Sequence, residues 1–90
     1  MESQENKRVI IRDQEGMKML AEQLKFVRKR QGFTQEELAA QSGLTLSQIA
    51  RIETVKINPT VSTMMRIART LEVPVSELFD FTLPKQEHYK

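Results

Sequence analysis

The amino-acid sequence predicts an all-α fold, a compact domain of five short helices. Apolar residues recur three or four positions apart in residues 17–31 and again in 61–71, which is the spacing of one helix face. Thr34 and Thr45 are each followed three residues later by Glu or Gln, so the same helix start signal appears twice. With 90 residues, 39% of them apolar, the chain is long enough for one small hydrophobic core.

The first predicted helix follows an N-terminal extension, residues 1–16. Within this extension the β-branched stretch KRVIIR, residues 7–12, indicates a strand or an extended arm. Asp13 is a candidate cap for a helix that begins near Gln14, although Gly16 weakens its first turn.

Two short helices are predicted next, at about 35–42 and 46–54. At each start, Thr34 or Thr45 offers a hydroxyl that pairs reciprocally with the Glu or Gln three residues later. Gly43 lies between the helices, where a residue with positive φ ends the first of them. Two helices joined by such a turn form a helix-turn-helix, which places its second helix in the major groove of DNA. An apolar residue before each cap faces another in the first turn: Phe33 with Leu38, and Leu44 with Ile49.

Two further helices and a tail complete the predicted fold. Asn58, Pro59 and Thr60 mark a stop followed by a new cap, and Pro74 fits the first turn of a short fifth helix that ends near Phe79. The tail FDFTLP alternates apolar and other residues with the period of a strand. The predicted core is Leu24, Val27, Phe33, Leu38, Ala39, Leu44, Ile49, Ile52, Val61, Met64, Ile67, Leu71, Val73 and Leu78.

The stretch QEELAAQSGLTLSQIARIE, residues 35–53, resembles the helix-turn-helix of the lambda-repressor/Cro-type family, also called the XRE family. The resemblance continues upstream in LKFVRKRQGFT and downstream in NPTVSTMMRIARTLEV and SELF, and it covers residues 20–80. It implies a lambda-repressor-like DNA-binding domain over residues 17–80. The extension, 1–16, and a C-terminal tail, 81–90, lie outside that domain.

The third helix is the predicted reader of DNA bases. Ile49 and Ile52 are three residues apart and must face the core, which turns the polar side chains outward. Arg51 then suits guanine O6 and N7, and Gln48 suits adenine N6 and N7. The resemblance implies base contacts from the start and outer face of this helix: Leu46, Ser47, Gln48 and Arg51.

Each base-contact residue also has a plainer interpretation. Gln48 is either a base contact or only the capping partner of Thr45. Leu46 either packs against a thymine methyl or is an ordinary exposed leucine. Arg51 is either a base contact or an idle surface charge, and Ser47 is the least selective of the set.

Phosphate contacts are expected at the edges of the helix-turn-helix. The resemblance places Gln35 at the first turn of the second helix, where the helix dipole and free N–H groups favour an anion. Residues 17–33 carry five basic side chains against one acidic, although the net charge of the chain is only +2. This surplus indicates a phosphate-facing patch or an ordinary solvated face. The candidates are Gln35, Thr45, Lys56, Asn58, Lys25 and Lys29.

Two more features follow from the resemblance. It pairs Arg28 with Glu53 in a largely buried salt bridge that supports the third helix. Val55, however, stands where the family has glycine, and a β-branched residue strongly resists positive φ. We therefore expect either a longer third helix or a different loop path, which affects the Lys56 and Asn58 contacts.

The sequence predicts a cytoplasmic regulator and no enzyme. It has no cysteine, one histidine, no Gly-rich phosphate loop and no apolar run that would span a membrane. No cofactor or metal is expected. The leading hypothesis is a sequence-specific binder of double-stranded DNA, a repressor acting as a homodimer. The alternative is an antitoxin-like module that binds a toxin-like protein partner through its terminal segments, such as residues 9–11 and 79–83, and represses its own promoter.

Overall fold

Four α-helices and one 3₁₀ helix follow one another in the computed structural model, which describes residues 12–85. α1 packs against α3 and the 3₁₀ helix, whereas α4 packs against α2 and the 3₁₀ helix. The contact between α2 and α3 completes the domain. The elements are α1 (Gln14–Arg30), α2 (Gln35–Ser42), α3 (Leu46–Glu53), α4 (Val61–Leu71) and the 3₁₀ helix (Val75–Phe79).

The prediction of five α-helices was wrong in its last member. Pro74 precedes a 3₁₀ helix whose N–H groups bond three residues back, as from Glu77 to the Pro74 carbonyl at 2.9 Å. This helix has five residues and no side-chain cap. A segment of that length can form few of the i→i−4 hydrogen bonds that stabilise an α-helix, and short pieces of chain commonly adopt the 3₁₀ form.

Side-chain oxygens cap all four α-helices at their N-termini. Asp13 accepts from the Gly16 N–H at 2.9 Å, and Thr60 accepts from the Thr63 N–H at 3.1 Å. The two predicted capping boxes, at α2 and α3, are both formed. These bonds satisfy N–H groups that have no partner within their own helix.

The core is close to the predicted one, with one clear error. Val61, predicted inside, is 68% exposed: it is the first residue of α4, and the buried residues of that helix begin one turn later, at Met64. Phe33, Leu44 and Val73 pack against the core but are only partly buried. The buried apolar residues are Met17, Leu20, Ala21, Leu24, Val27, Leu38, Ala39, Ile49, Ile52, Met64, Ile67, Ala68, Leu71 and Leu78.

The C-terminal segment differs from the strand-like expectation. Within residues 12–85 no strand forms, and Phe81 turns back to pack partly against the core. α1 begins at Gln14, so the end of the predicted extension is helical. The rest of the KRVIIR stretch, residues 7–11, lies outside the described residues. None of the described helices combines the length and the apolar character needed to cross a membrane.

Val55 corrects both expectations about the loop after α3. The helix ends at Glu53, and Val55 itself adopts the left-handed conformation with φ 62°. The Lys56 N–H bonds to the Arg51 carbonyl at 2.7 Å and the Val55 N–H to the Ile52 carbonyl at 3.2 Å, a Schellman pattern that requires this conformation. The closing bonds therefore hold a β-branched residue in a region it disfavours.

We predict that Val55→Gly raises the free energy of unfolding by about 0.5–1 kcal/mol. An L side chain in the left-handed region costs about 1–2 kcal/mol, and part of the gain is offset by the larger entropy of glycine in the unfolded chain. Urea unfolding at unchanged m-value measures the change. The control is Thr54→Gly. Thr54 has φ −109°, so glycine relieves no strain there and adds only its larger entropy in the unfolded chain, which should lower stability. A loss in both variants would contradict the strain.

Candidate nucleic-acid interface

Three features stabilise the turn between α2 and α3: a backbone conformation, a packing contact and a hydrogen bond. Gly43 takes φ 79° and ends α2, as predicted. Ala39, a buried small residue of α2, belongs to the core cluster that joins the two helices. From α4, the Arg66 Nη1 atom donates to the Ser42 carbonyl at 3.0 Å. A Cβ atom at Gly43 would lie 2.8 Å from that Nη1 atom, so the guanidinium occupies the space a side chain would need.

α3 turns one apolar face inward and one polar face outward, as predicted. Ile49 and Ile52 are buried in the core cluster. The base-contact candidates are all exposed: Leu46, Ser47, Gln48 and Arg51. A helix of eight residues is not stable alone, so tertiary contacts, the burial of the two isoleucines among them, hold this orientation. Within residues 12–85, no other part of the chain covers this outward face.

Gln48 and Thr45 are bonded to each other at the start of α3. The Thr45 N–H donates to Gln48 Oε1 at 2.9 Å, and the Gln48 N–H donates to Thr45 Oγ1 at 3.0 Å. The capping role of Gln48 is therefore realised, and its side-chain amino group points elsewhere. Thr45 uses its hydroxyl oxygen as an acceptor, which leaves the hydroxyl proton available to a phosphate.

Arg28 and Glu53 form a buried bidentate ion pair. The Nε–Oε2 distance is 2.6 Å and the Nη2–Oε1 distance is 3.0 Å, with side chains 8% and 1% exposed. The remaining nitrogen, Nη1, donates to the Phe33 carbonyl at 2.8 Å. One guanidinium thus links α1, the segment before α2 and the end of α3.

Gln35 joins the same network, which the sequence reasoning missed. Its Nε2 atom donates to Glu53 Oε1 at 2.9 Å, the oxygen that also accepts from Arg28. Gln35 was predicted as a phosphate contact, and the second hydrogen on Nε2 remains for that purpose. No local signal links these residues, because they lie 18 positions apart and meet only when α2 packs against the end of α3.

The basic end of α1 divides into two groups. Lys25 and Lys29 are exposed and lie one turn apart, so they share one side of the helix. Arg30 instead pairs with Glu77, and its guanidinium lies 5.7 Å from the centre of the Phe26 ring. At this end of α1 the two predicted phosphate contacts, Lys25 and Lys29, are therefore on a different part of the surface from the Arg30–Glu77 pair.

Lys56 and Asn58 are exposed in the loop that follows Val55. The left-handed turn at Val55 lets the Lys56 N–H bond to a carbonyl in the last turn of α3, so the loop stays close to the end of the helix. Both side chains therefore start close to the C-terminal end of the exposed face of α3.

Comparison with a protein-family model identifies the same segment. The model described as HTH_3, helix-turn-helix, matches residues 24–78, which include α2 and α3. The match extends from the second half of α1 to the 3₁₀ helix, so it covers the elements that hold the buried ion pair.

Two curated relatives are similar to the chain. The HTH-type transcriptional regulator SlrR of Bacillus subtilis (strain 168) is 38% identical over 63 residues, which are 69% of this chain and 41% of SlrR. The immunity repressor protein of Bacillus phage phi105 is 35% identical over 69 residues, 76% of this chain and 48% of that protein. The chain thus spans less than half the length of each.

A solved structure has the same arrangement. The restriction-modification controller protein C.AhdI from Aeromonas hydrophila superposes with a TM-score of 0.68 at 28% identity. The match covers 70% of this chain and 96% of C.AhdI.

We predict that Arg28→Met lowers the free energy of unfolding by about 3–5 kcal/mol, because it leaves the Glu53 carboxylate buried without its cation. Urea unfolding measures the loss. The double variant Arg28→Met/Glu53→Leu should be more stable than Arg28→Met alone, since it removes the orphaned charge. Arg30→Met is the matched control: the Arg30–Glu77 pair is partly exposed and should contribute less than about 1 kcal/mol. Equal losses from the two single variants would contradict the distinction.

Proposed function

The chain belongs to the XRE-type helix-turn-helix family of DNA-binding transcriptional regulators, and we propose that it binds double-stranded DNA sequence-specifically through α3. The observation that carries the proposal is the orientation of α3. Two buried isoleucines leave Ser47, Gln48 and Arg51 exposed along one face. A helix presented in this way enters a major groove with its N-terminal residues against the base edges.

The proposed base contacts are Leu46, Ser47, Gln48 and Arg51. Arg51 supplies a planar fork of donors that matches guanine O6 and N7. The structure records no hydrogen bond of its side chain to any residue between 12 and 85, so binding a base breaks no contact in that part of the chain. Leu46 lies at the first position of α3, where an apolar side chain suits a thymine methyl.

The proposed phosphate contacts surround this face. At the start of α2, Gln35 is oriented by Glu53 and keeps one amide hydrogen for a phosphate oxygen. Lys25 and Lys29 on α1 supply positive charge, which strengthens binding to any DNA sequence. The remaining contacts come from the ends of α3 and its following loop: Thr45, Lys56 and Asn58.

The proposed mode of regulation is repression by a homodimer. A relative of this chain is named an immunity repressor, which supports the direction of control. One short helix reads few base pairs, so two copies on half-sites about 34 Å apart are the usual solution. Val61 and Met65 lie one turn apart on α4 and are 68% and 49% exposed, an apolar spot suited to a second copy.

A second candidate function is that of an antitoxin-like module, which neutralises a partner protein and represses its own promoter. The observation that favours it is an open cavity of about 330 Å³ between the start of α1 and the C-terminal segment. Its apolar lining, Met17, Leu20, Phe79, Phe81 and Leu83, suits an apolar side chain of a partner.

A growth assay separates these two functions. An antitoxin must restore growth to cells that express a toxic gene product encoded beside it. The Arg51→Ala variant should still restore growth, because Arg51 does not line the cavity, whereas Leu83→Asp, which changes a lining residue, should not. Absence of any such toxic product would remove the antitoxin-like function.

Selection of bound sites from a random pool of double-stranded DNA tests the leading proposal. We expect one enriched motif with two-fold symmetry and half-sites about 10 base pairs apart. Failure to enrich any sequence would sink the proposal.

Arg51→Ala should weaken binding to the selected site by about 1–3 kcal/mol and relax the preference at one base pair. Titration of the selected site and its single-base variants measures both effects. Lys29→Ala is the matched control, because a phosphate contact should weaken binding to all sequences and lower the salt slope by about one unit. Equal losses for Arg51→Ala on selected and random DNA would refute base reading.

Met65→Glu should shift the protein from dimer to monomer in sedimentation equilibrium, since the substitution places a charge in the proposed apolar contact. Affinity for the symmetric site should fall more than affinity for one half-site. Phe26→Glu is the control, because Phe26 is also an exposed apolar residue but lies on α1. If Phe26→Glu dissociated the dimer and Met65→Glu did not, the dimer interface would lie on α1 and not on α4.

A further inference from the structure

The capping box of α3 restricts what Gln48 offers to a base. Its Oε1 atom is already bonded to the Thr45 N–H at 2.9 Å, while the side chain as a whole is exposed. A backbone N–H only donates, so the group that faces it must be the amide oxygen. The amide therefore has one allowed orientation, and Nε2 with its two hydrogens is directed away from the cap.

From this orientation we infer that Gln48 selects guanine, through donation from Nε2 to the O6 and N7 acceptors. The inference rests on the proposed function, which brings α3 into the groove. Adenine is matched less well, because its bidentate pairing needs Oε1 to accept from N6 on the second lone pair while the first holds the Thr45 N–H. Cytosine presents a donor, its N4 amino group, which meets another donor on Gln48. This preference differs from the adenine pairing that the sequence alone predicted for Gln48.

The start of α2 shows how to test Gln48 without disturbing the cap. There the box is built from Thr34 and Glu37, and its two hydrogen bonds are 2.9 and 3.0 Å long. The box of α3 has the same two distances. A carboxylate at position 48 therefore has a formed precedent in this chain. Gln48→Glu keeps the acceptor for Thr45 and removes both outward hydrogens.

The experiment repeats the selection from random DNA with wild-type protein, Gln48→Glu and Gln48→Ala. Wild type should select guanine at one position of each half-site, and Gln48→Glu should select cytosine there, because a carboxylate accepts from cytosine N4. The preference between these two bases should reverse by about tenfold or more in direct titration. The added negative charge weakens binding to every sequence alike, so it does not change which base is selected.

Thermal unfolding supplies the second readout. Gln48→Glu should unfold at the wild-type temperature or above, since the cap is kept and a negative charge near a helix N-terminus is favourable. Gln48→Ala should unfold at a lower temperature and lose the preference at the same base pair. A lower unfolding temperature for Gln48→Glu than for Gln48→Ala would overturn the inference.

The outcomes also separate this inference from the proposed function. A wild-type motif that stays the same in both Gln48 variants, or that has adenine at the sensitive position, would overturn the role of Gln48 and leave DNA reading intact. A wild-type protein that selects no motif would overturn both.

Discussion

The buried ion pair of Arg28 and Glu53 is the constraint on which the domain depends. It connects the C-terminal end of α1 to the last residue of α3, and through the Phe33 carbonyl and Gln35 it also fixes the start of α2. Burying two charges is expensive, and the pair is not an efficient source of net stability. Its value lies in orientation: hydrogen bonds of fixed direction hold α3 at one rotation, which apolar packing alone specifies less sharply.

The two helices of the helix-turn-helix, α2 and α3, are short, and hydrogen bonds at their ends do much to define where they begin and stop. Eight residues form two turns, too few to persist in water without tertiary contacts. Each helix therefore begins at a reciprocal cap, and a residue with positive φ follows the end of each. At the start of α3 the cap is also part of the exposed face. Under the proposed function, local stability and DNA recognition would therefore share one side chain, Gln48, and that sharing would limit which bases the position suits.

The sequence predicted the features that depend on neighbouring residues. The caps at Thr34 and Thr45 and the inward turn of Ile49 and Ile52 follow from spacing alone. The family resemblance added one tertiary contact, the Arg28–Glu53 pair, but other features set by tertiary packing were missed. The contact of Gln35 with Glu53 needs the folded arrangement of two helices, and the exposure of Val61 depends on where the core ends. At Val55 the error had another source: intrinsic preference was weighed, but not the hydrogen bonds that close α3.

Gly43 and the guanidinium of Arg66 occupy adjoining space in the turn between α2 and α3. A Cβ atom at position 43 would lie 2.8 Å from Arg66 Nη1, the mobile end of a long side chain, which would have to move aside. Asparagine tolerates the left-handed backbone, so its cost there falls on the hydrogen bond from Arg66 to the Ser42 carbonyl rather than on the turn itself. Glycine therefore allows the link from α4 to the turn, and shortening Arg66 would free the space at the expense of that link.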